Sequence, residues 1–288
     1  MADECVTKKN LGVVRCNKFP SMPKGMITTP PGFSLTPTEA ADVAVWQAKL
    51  LLTPGTRIYL WPEFDKVEDV STEAAYDESV LSDLVADQGK YKWRVMISQN
   101  LCLHKAMFTH SGKGDRVFIW DRKNFLIGTE MTSGNIRGFK MSLLNTEKLK
   151  IGDGSVASYT PVYLVLKDHL ELDKNGIMID GDLVNELNAI VDVTLTKVGT
   201  ESASTIVVDV ALSCDDSPLS GLVAADFLLL TAAGAAQTKT AAESATVPGR
   251  YTLTASTSFV DGTLSLVPAA SISVEAYEAE NTLTVNVP

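Results

Sequence analysis

From about residue 191 onward the chain consists of short alternating segments separated by turn signals, and this pattern restricts what that part can fold into. The segments are 192–198, 205–213, 226–231, 250–256, 262–267 and 282–287, each with apolar residues at every second position. Asp215-Asp-Ser-Pro218, Ala233-Gly234, Pro248-Gly249 and Asp261-Gly262 lie between them. Many short strands with turns at this cadence, over just under a hundred residues, predict a β-sandwich. All four Trp, all three His and all eight Met precede residue 191, so the boundary is placed at Ala189 to Val193. A chain of 288 residues is comfortable for two domains, with cores large enough to need no staples.

The first 37 residues carry Pro20, Pro23, Pro30, Pro31 and Pro37 beside Gly12, Gly25 and Gly32. Such repeated breaks in hydrogen bonding speak against a long helix or a central strand, so this stretch is expected to be an extended arm. Such an arm either reaches a neighbouring copy or wraps its own domain. Thr38 to Leu52 is the best helix candidate, with Thr38 as N-cap and Val43, Trp46 and Leu50 sharing a face. Arg57 to Trp61 alternates like a strand, and the acidic stretch that follows to Asp87 is expected to be a solvated loop with a little helix. From Lys90 the pattern is strand-like at 91–98, 116–121, 125–129, 136–143 and 161–170. Ser111 to Asp115, Ser133 to Asn135 and Gly152 to Gly154 supply the turns. Gly181 to Ile190 closes this part as a short amphipathic helix. The expected fold class is therefore mainly β: an arm at 1–37, a β-rich sandwich or barrel-like domain at 38–190 with one or two short helices, and a β-sandwich at 191–288.

Charge narrows the function. About −8 of the net −10 falls after residue 190, where only Lys197, Lys239 and Arg250 are basic. That sign disfavours gripping a nucleic-acid backbone, which needs clustered Lys and Arg, although DNA can still pass by. No apolar run is long enough to span a membrane, and MADECVTKKN has charges where a signal peptide would have its apolar region. Neither membrane insertion nor export is expected. Cys5, Cys16, Cys102 and Cys214 form no CxxC pair and are expected to be reduced, with a Cys5–Cys16 contact open if the arm doubles back.

No constellation forces a chemistry. Cys102, His104 and His110 match no zinc spacing and are expected to be ordinary residues of a strand-and-loop region. Asp173 to Gly176 lacks the later acid of a calcium loop and reads as a turn. Ser111 to Gly114 lacks the phosphate-loop frame, and there is no GxSxG elbow. Glu68-Asp69 and Asp77-Glu78 read as solvated charges rather than a glycosidase pair. Lys90, Lys92 and Arg94 alternate with Tyr91, Trp93 and Val95, so charge and stacking groups fall on opposite faces and do not make a nucleic-acid platform. The chain is expected to be non-catalytic, with no catalytic, cofactor-binding or metal residue assigned. An enzyme using His104, His110 and Asp121 is the minority alternative.

The segments SPLSGLVAADFLLL, PGRYTLTAS and DGTLSLVP resemble bacterial immunoglobulin-like repeats of invasin and intimin type, with Pro218, Gly221, Phe227, Gly249, Tyr251 and Leu253 in the motif places. The resemblance covers about a third of the chain and implies an immunoglobulin-like sandwich, as found in adhesins and appended to phage virion proteins. A β-rich domain followed by one such sandwich resembles the major tail tube proteins of long-tailed phages. The segments LGVVRCNKFPSMPKGMITTP, SQNLCLHKAMFTH and IRGFKMSLLNTEKL also look like structural proteins of phages infecting Bacteroidetes. The resemblance implies hexameric rings of this chain stacked into a conduit through which DNA passes without specific binding. It further implies that the arm and residues 63–89 bridge rings, and that the acidic sandwich decorates the outside. Partners would be other copies, other virion proteins and host-surface glycans through the C-terminal domain; the location would be the phage tail, after synthesis in the host cytoplasm. A capsid decoration or head-fibre protein, or a carbohydrate-binding adhesive module, are the alternatives.

Overall fold

The computed structural model describes residues 20–73, 75–77, 84–87, 89–98, 100–155, 157–179, 182–267, 270–272 and 275–288. The chain is mainly β and divides into two compact units, the first ending at Leu187 and the second running over Asn188–Pro288, with Leu51–Thr53 grouped with the second. Cys5, Cys16 and the first half of the expected arm lie outside the described residues.

In the first unit the elements are β1 (Pro23–Thr29), α1 (Pro37–Ala40), α2 (Val43–Leu50), β2 (Tyr59–Leu60), β3 (Lys66–Asp69), β4 (Ala75–Asp77), β5 (Leu84–Asp87) and β6 (Lys92–Ile97). They continue with α3 (Leu101–Thr109), β7 (Arg116–Asp121), β8 (Leu126–Glu130), β9 (Ile136–Arg137), β10 (Phe139–Thr146), β11 (Thr160–Leu166), α4 (Leu170–Asp173) and β12 (Gly176–Ile179). Ten of the strands form one half-barrel sheet ordered β12-β8-β7-β10-β11-β6-β3, with β1, β2 and β9 as side branches. β7 shows why the sheet needs cover on both sides. Its Val117 and Ile119 enter one core with Val95, Phe139, Val162 and Leu164, while Phe118 and Trp120 enter a second with Trp46, Leu50, Ile58 and Leu126. Period-2 alternation in a strand buried on both faces sends successive side chains to different cores.

Several expectations are corrected here. Pro23–Thr29 is a strand, paired with both β2 and β7 and almost wholly buried after its first two residues. Pro23 is tolerated because it is the first residue, where a missing N–H costs no interior ladder bond. Gly25 lies against the Trp120 ring, where a Cβ would sit 2.3 Å from a ring carbon. The first helix begins two residues earlier than expected and breaks. Thr36, not Thr38, caps α1 in a capping box with Glu39, and Asp42 restarts the helix by accepting the Ala44 N–H. Trp46 and Leu50 are nonetheless core residues, with the Trp46 indole N–H donating to the Ala40 carbonyl. The acidic stretch holds strands instead of a helix among its described residues: β3 pairs with β6, and β4–β5 forms a two-stranded ribbon. Leu101–Thr109 is a helix capped by Asn100, not strand and loop. Among the described residues four short helices therefore stand where one or two were expected, and Asp182–Glu186 is a 3-10 turn rather than an α-helix.

The second unit contains β13 (Ile190–Lys197), β14 (Thr205–Leu212), β15 (Phe227–Thr231), β16 (Lys239–Glu243), β17 (Arg250–Ala255), β18 (Gly262–Leu266), β19 (Ala270–Ile272), β20 (Glu275–Ala279) and β21 (Leu283–Val285). One sheet runs β16-β17-β14-β13-β20-β19 and the other β15-β18-β21. Lettered A to G, with the β19–β20 hairpin set aside, these are sheets D-E-B-A and C-F-G, the immunoglobulin constant-type arrangement. The hairpin is an insertion between F and G whose second strand pairs parallel with β13. Inward residues of both sheets, among them Val193, Val208, Phe227, Leu229, Tyr251, Leu253 and Leu264, make one core.

Candidate assembly surfaces

The half-barrel of the first unit stops at two strands with one open side each. Among the described residues β12 pairs only with β8, and β3 only with β6. In β12 the Glu130 N–H donates to the Asn175 carbonyl, so by antiparallel alternation Asn175, Ile177 and Ile179 face β8. The backbone groups of Gly176 and Met178 then point to the open edge. Such rows of unpaired N–H and C=O groups are templates for another strand.

The face of β3 and β6 that bears Glu68 and Arg94 carries paired charge. Arg94 lies between Glu68 and Glu147, at 3.5 and 3.3 Å, with its guanidinium 5.9 Å from the Tyr163 ring centre, and Lys66 contacts Glu68 at 2.9 Å. These acids neutralise cations that would otherwise attract phosphate. On the other face Tyr91 and Trp93 stack, as alternation predicts, and the Tyr91 hydroxyl donates to Asp173, which with burial lifts its pKa to about 12.

A half-buried ionic knot fixes α4 to the sheet. Glu171, 8% exposed, accepts from Arg116 Nη1 at 2.9 Å, Arg137 Nη2 at 3.2 Å and the Lys140 N–H. Arg116 also donates to the Gly138 carbonyl, and Lys140 contacts Asp115. The sequence carries no sign of this knot, because its members come from four separate elements.

The residues considered for chemistry do not converge. His104 Nδ1 pairs with the Thr160 hydroxyl at 2.9 Å, whereas His110 caps the C-terminus of α3 against the Tyr59 ring, 4.3 Å between centres. Burial, then Lys113 and Arg57, lower the His110 pKa. Cys102 is half-buried on the same helix, and no group of three His, Cys, Asp or Glu among the described residues is placed to hold a metal. Asp121, fully buried, spends its carboxylate on the backbone N–H groups of Ser21, Lys123 and Phe125. That is turn architecture. Of the expected turn at Asp173 to Gly176, Lys174 and Asn175 form the turn itself, between α4, which ends at Asp173, and β12, which begins at Gly176. The side chains of Asp77 and Glu78 lie outside the described residues.

In the sandwich the motif residues form one hydrogen-bonded unit. The Tyr251 hydroxyl donates to the Leu219 carbonyl at 2.8 Å and accepts from Leu222 N–H at 3.1 Å. Glu243 accepts from Gly221 and Gly249 N–H, both at 3.0 Å. Gly249 has φ +73°, and a Cβ there would meet the Val210 carbonyl oxygen at 2.7 Å. The Ser220 hydroxyl and these two N–H groups hold the Glu243 carboxyl below its ordinary pKa. A depressed folded pKa contributes stability above the unfolded value and loses it as pH falls through the folded one. Glu243→Gln is therefore expected to flatten the acid limb of the sandwich's stability below about pH 5, followed by hydrogen exchange of the full chain. Because the carboxylate is exposed, the change stays under ~1 kcal/mol; an unaltered acid limb would remove Glu243 from this role.

A shallow open cavity of about 610 Å³ lies at one end of the sandwich, lined by Ala203, Thr231, Phe259, Val260, Asp261 and Val287. Phe259 is buried and presents no stacking face to a sugar, and one oxygen of Asp261 accepts the Val287 N–H.

No protein-family model matches the chain, and no curated protein sequence matches it. No helix among the described residues is long and apolar enough to cross a membrane.

Proposed function

We propose that this chain is a phage virion structural protein, the tail tube subunit, which polymerises as stacked rings to form the DNA conduit and carries an immunoglobulin-like domain on the outside. The observation that carries this reading is the half-barrel of the first unit, which ends on β3 and β12 with unpaired outer edges. A curved sheet with two open edges is a segment of a barrel, and joining edge to edge with other copies satisfies both edges at once. The neutralised charges around Arg94 suit a wall along which DNA slides without being held.

Electron microscopy of the purified full-length protein, with sedimentation analysis, tests the proposal. Rings, most simply of six copies, that stack into tubes are expected. Dispersed monomers under all conditions, together with absence of the protein from phage particles, would remove it.

A further inference from the structure

The two ends of the first unit's sheet differ in charge and in apolar character. β3 and β6 pair antiparallel, with Lys66 opposite Met96 and Asp69 opposite Trp93. Beyond Asp69 the pair continues through the Thr72–Lys90 bridge into the β4–β5 ribbon. At the other end Ser98 N–H donates to the Asp65 carboxylate and the chain enters α3. α3 then crosses that end of the sheet, with His104 on Thr160 of β11 and the Met107 carbonyl accepting from Thr146 of β10. Ribbon and α3 are thus at opposite ends of the same strands.

α3 turns the wrong residues outward for a solvent-facing helix. Leu101 and Phe108 are 56% and 57% exposed, seven residues apart and so on one face, with the exposed Lys105 between them. The loop from β10 to β11 lies at this end and adds Ile151, 83% exposed. No acid occurs from Ser98 to Gly114, while Lys105, Lys113, Lys148 and Lys150 are exposed. The acids of the neighbouring loop are engaged, Glu147 by Arg94 and Asp153 by Ser155. The ribbon end has the opposite sign. Between Lys66 and Lys90 there are seven acidic residues and no Lys or Arg, and Asp69 and Glu73 are exposed.

We infer that the outward face of α3, centred on Leu101, Lys105 and Phe108, is the docking surface for the acidic ribbon end of a second copy. The inference rests on the assembly reading above and supplies its axial contact. An apolar stripe rimmed by lysines fits an acidic partner of matching size, and electrostatic complementarity fixes the orientation. Because the two surfaces are different and sit at opposite ends, each copy can bind one neighbour above and one below. Repeated head to tail, such a heterologous contact propagates as a stack.

The test uses the full-length protein with a photo-crosslinking residue in place of Phe108, beside the variants Leu101→Asp/Phe108→Asp, Lys105→Glu and Lys105→Glu/Glu73→Lys. Both apolar residues are more than half exposed, so the variants keep the fold, which Trp fluorescence verifies. Crosslinks into residues 67–89 of another copy are expected. The double aspartate is expected to give unstacked rings, Lys105→Glu to weaken stacking about tenfold at low salt, and Glu73→Lys to restore it. Stacked rings in the double aspartate, with crosslinks elsewhere, overturn the inference and leave the tube proposal standing. Crosslinked end-to-end chains without rings uphold the inference and sink the tube proposal. Monomers without crosslinks at any concentration sink both.

Discussion

Replacing Glu171 with alanine is expected to destabilise the first unit by about 3 kcal/mol, at the lower end of what breaking a buried ion pair costs. The carboxylate is the shared acceptor of Arg116, Arg137 and the Lys140 N–H, and its side chain is only 10% exposed. Its loss leaves two guanidinium groups with one fewer anion in a poorly hydrated place, and Arg137 Nε is already buried without an acceptor. Arg116 still holds the Gly138 carbonyl and Arg137 is a third exposed, which is why the larger values of the range are not expected. Denaturant unfolding followed by Trp fluorescence reads this unit alone, since all four Trp precede residue 191. Glu171→Gln keeps the shape and an acceptor oxygen and should fall between the two. Protection of residues 167–179 should drop first, because α4 leads into β12. A variant within about 0.5 kcal/mol of the parent would mean that packing of Leu172 and Ile179, not the ionic knot, holds this edge in place.

What was legible in the sequence follows from how local each signal is. The strands of the sandwich were readable because Ile206, Val208 and Val210, or Tyr251 and Leu253, alternate between core and solvent and end at turns such as Pro248-Gly249. Lys239–Glu243 escaped because KTAAE is an exposed edge strand with no large apolar residue, and β19–β20 because an insertion obeys no cadence. α3 was missed for a physical reason of the opposite kind. Its apolar residues are split between the core, at Met107, and the outside, at Leu101 and Phe108, so no single stripe marks it. Pro23 gives no sign of β1, because proline is kept out of strand interiors but not out of a strand's first position. The assembly surfaces were illegible from local pattern altogether. Open edges at β3 and β12 are properties of strand order, and the ionic knot joins residues 55 positions apart.

Tyr251→Ala is expected to be the most damaging single change in the sandwich, costing about 4 kcal/mol. Part of this is the cavity left by a fully buried ring that packs 5.3 Å from Phe227, for which large-to-small changes cost about 3–5 kcal/mol. Part is the loss of both hydrogen bonds of its hydroxyl, to the Leu219 carbonyl and the Leu222 N–H, which belong to the two buried residues of the bend. Tyr251→Phe separates the two: it fills the space but orphans the pair, and should cost about 1–3 kcal/mol. Hydrogen exchange of the full chain provides the readout, with Leu222 and its neighbours in the bend losing protection in both variants while Trp fluorescence of the first unit stays unchanged. If Tyr251→Phe were neutral, the bend would be held by Glu243 and Gly249 alone, and the tyrosine in the PGRYTLT segment would be a packing residue only. If the phenylalanine variant instead lost as much as the alanine one, the hydroxyl would be the keystone linking the bend after β14 to β17, the arrangement that ties the motif residues into one unit.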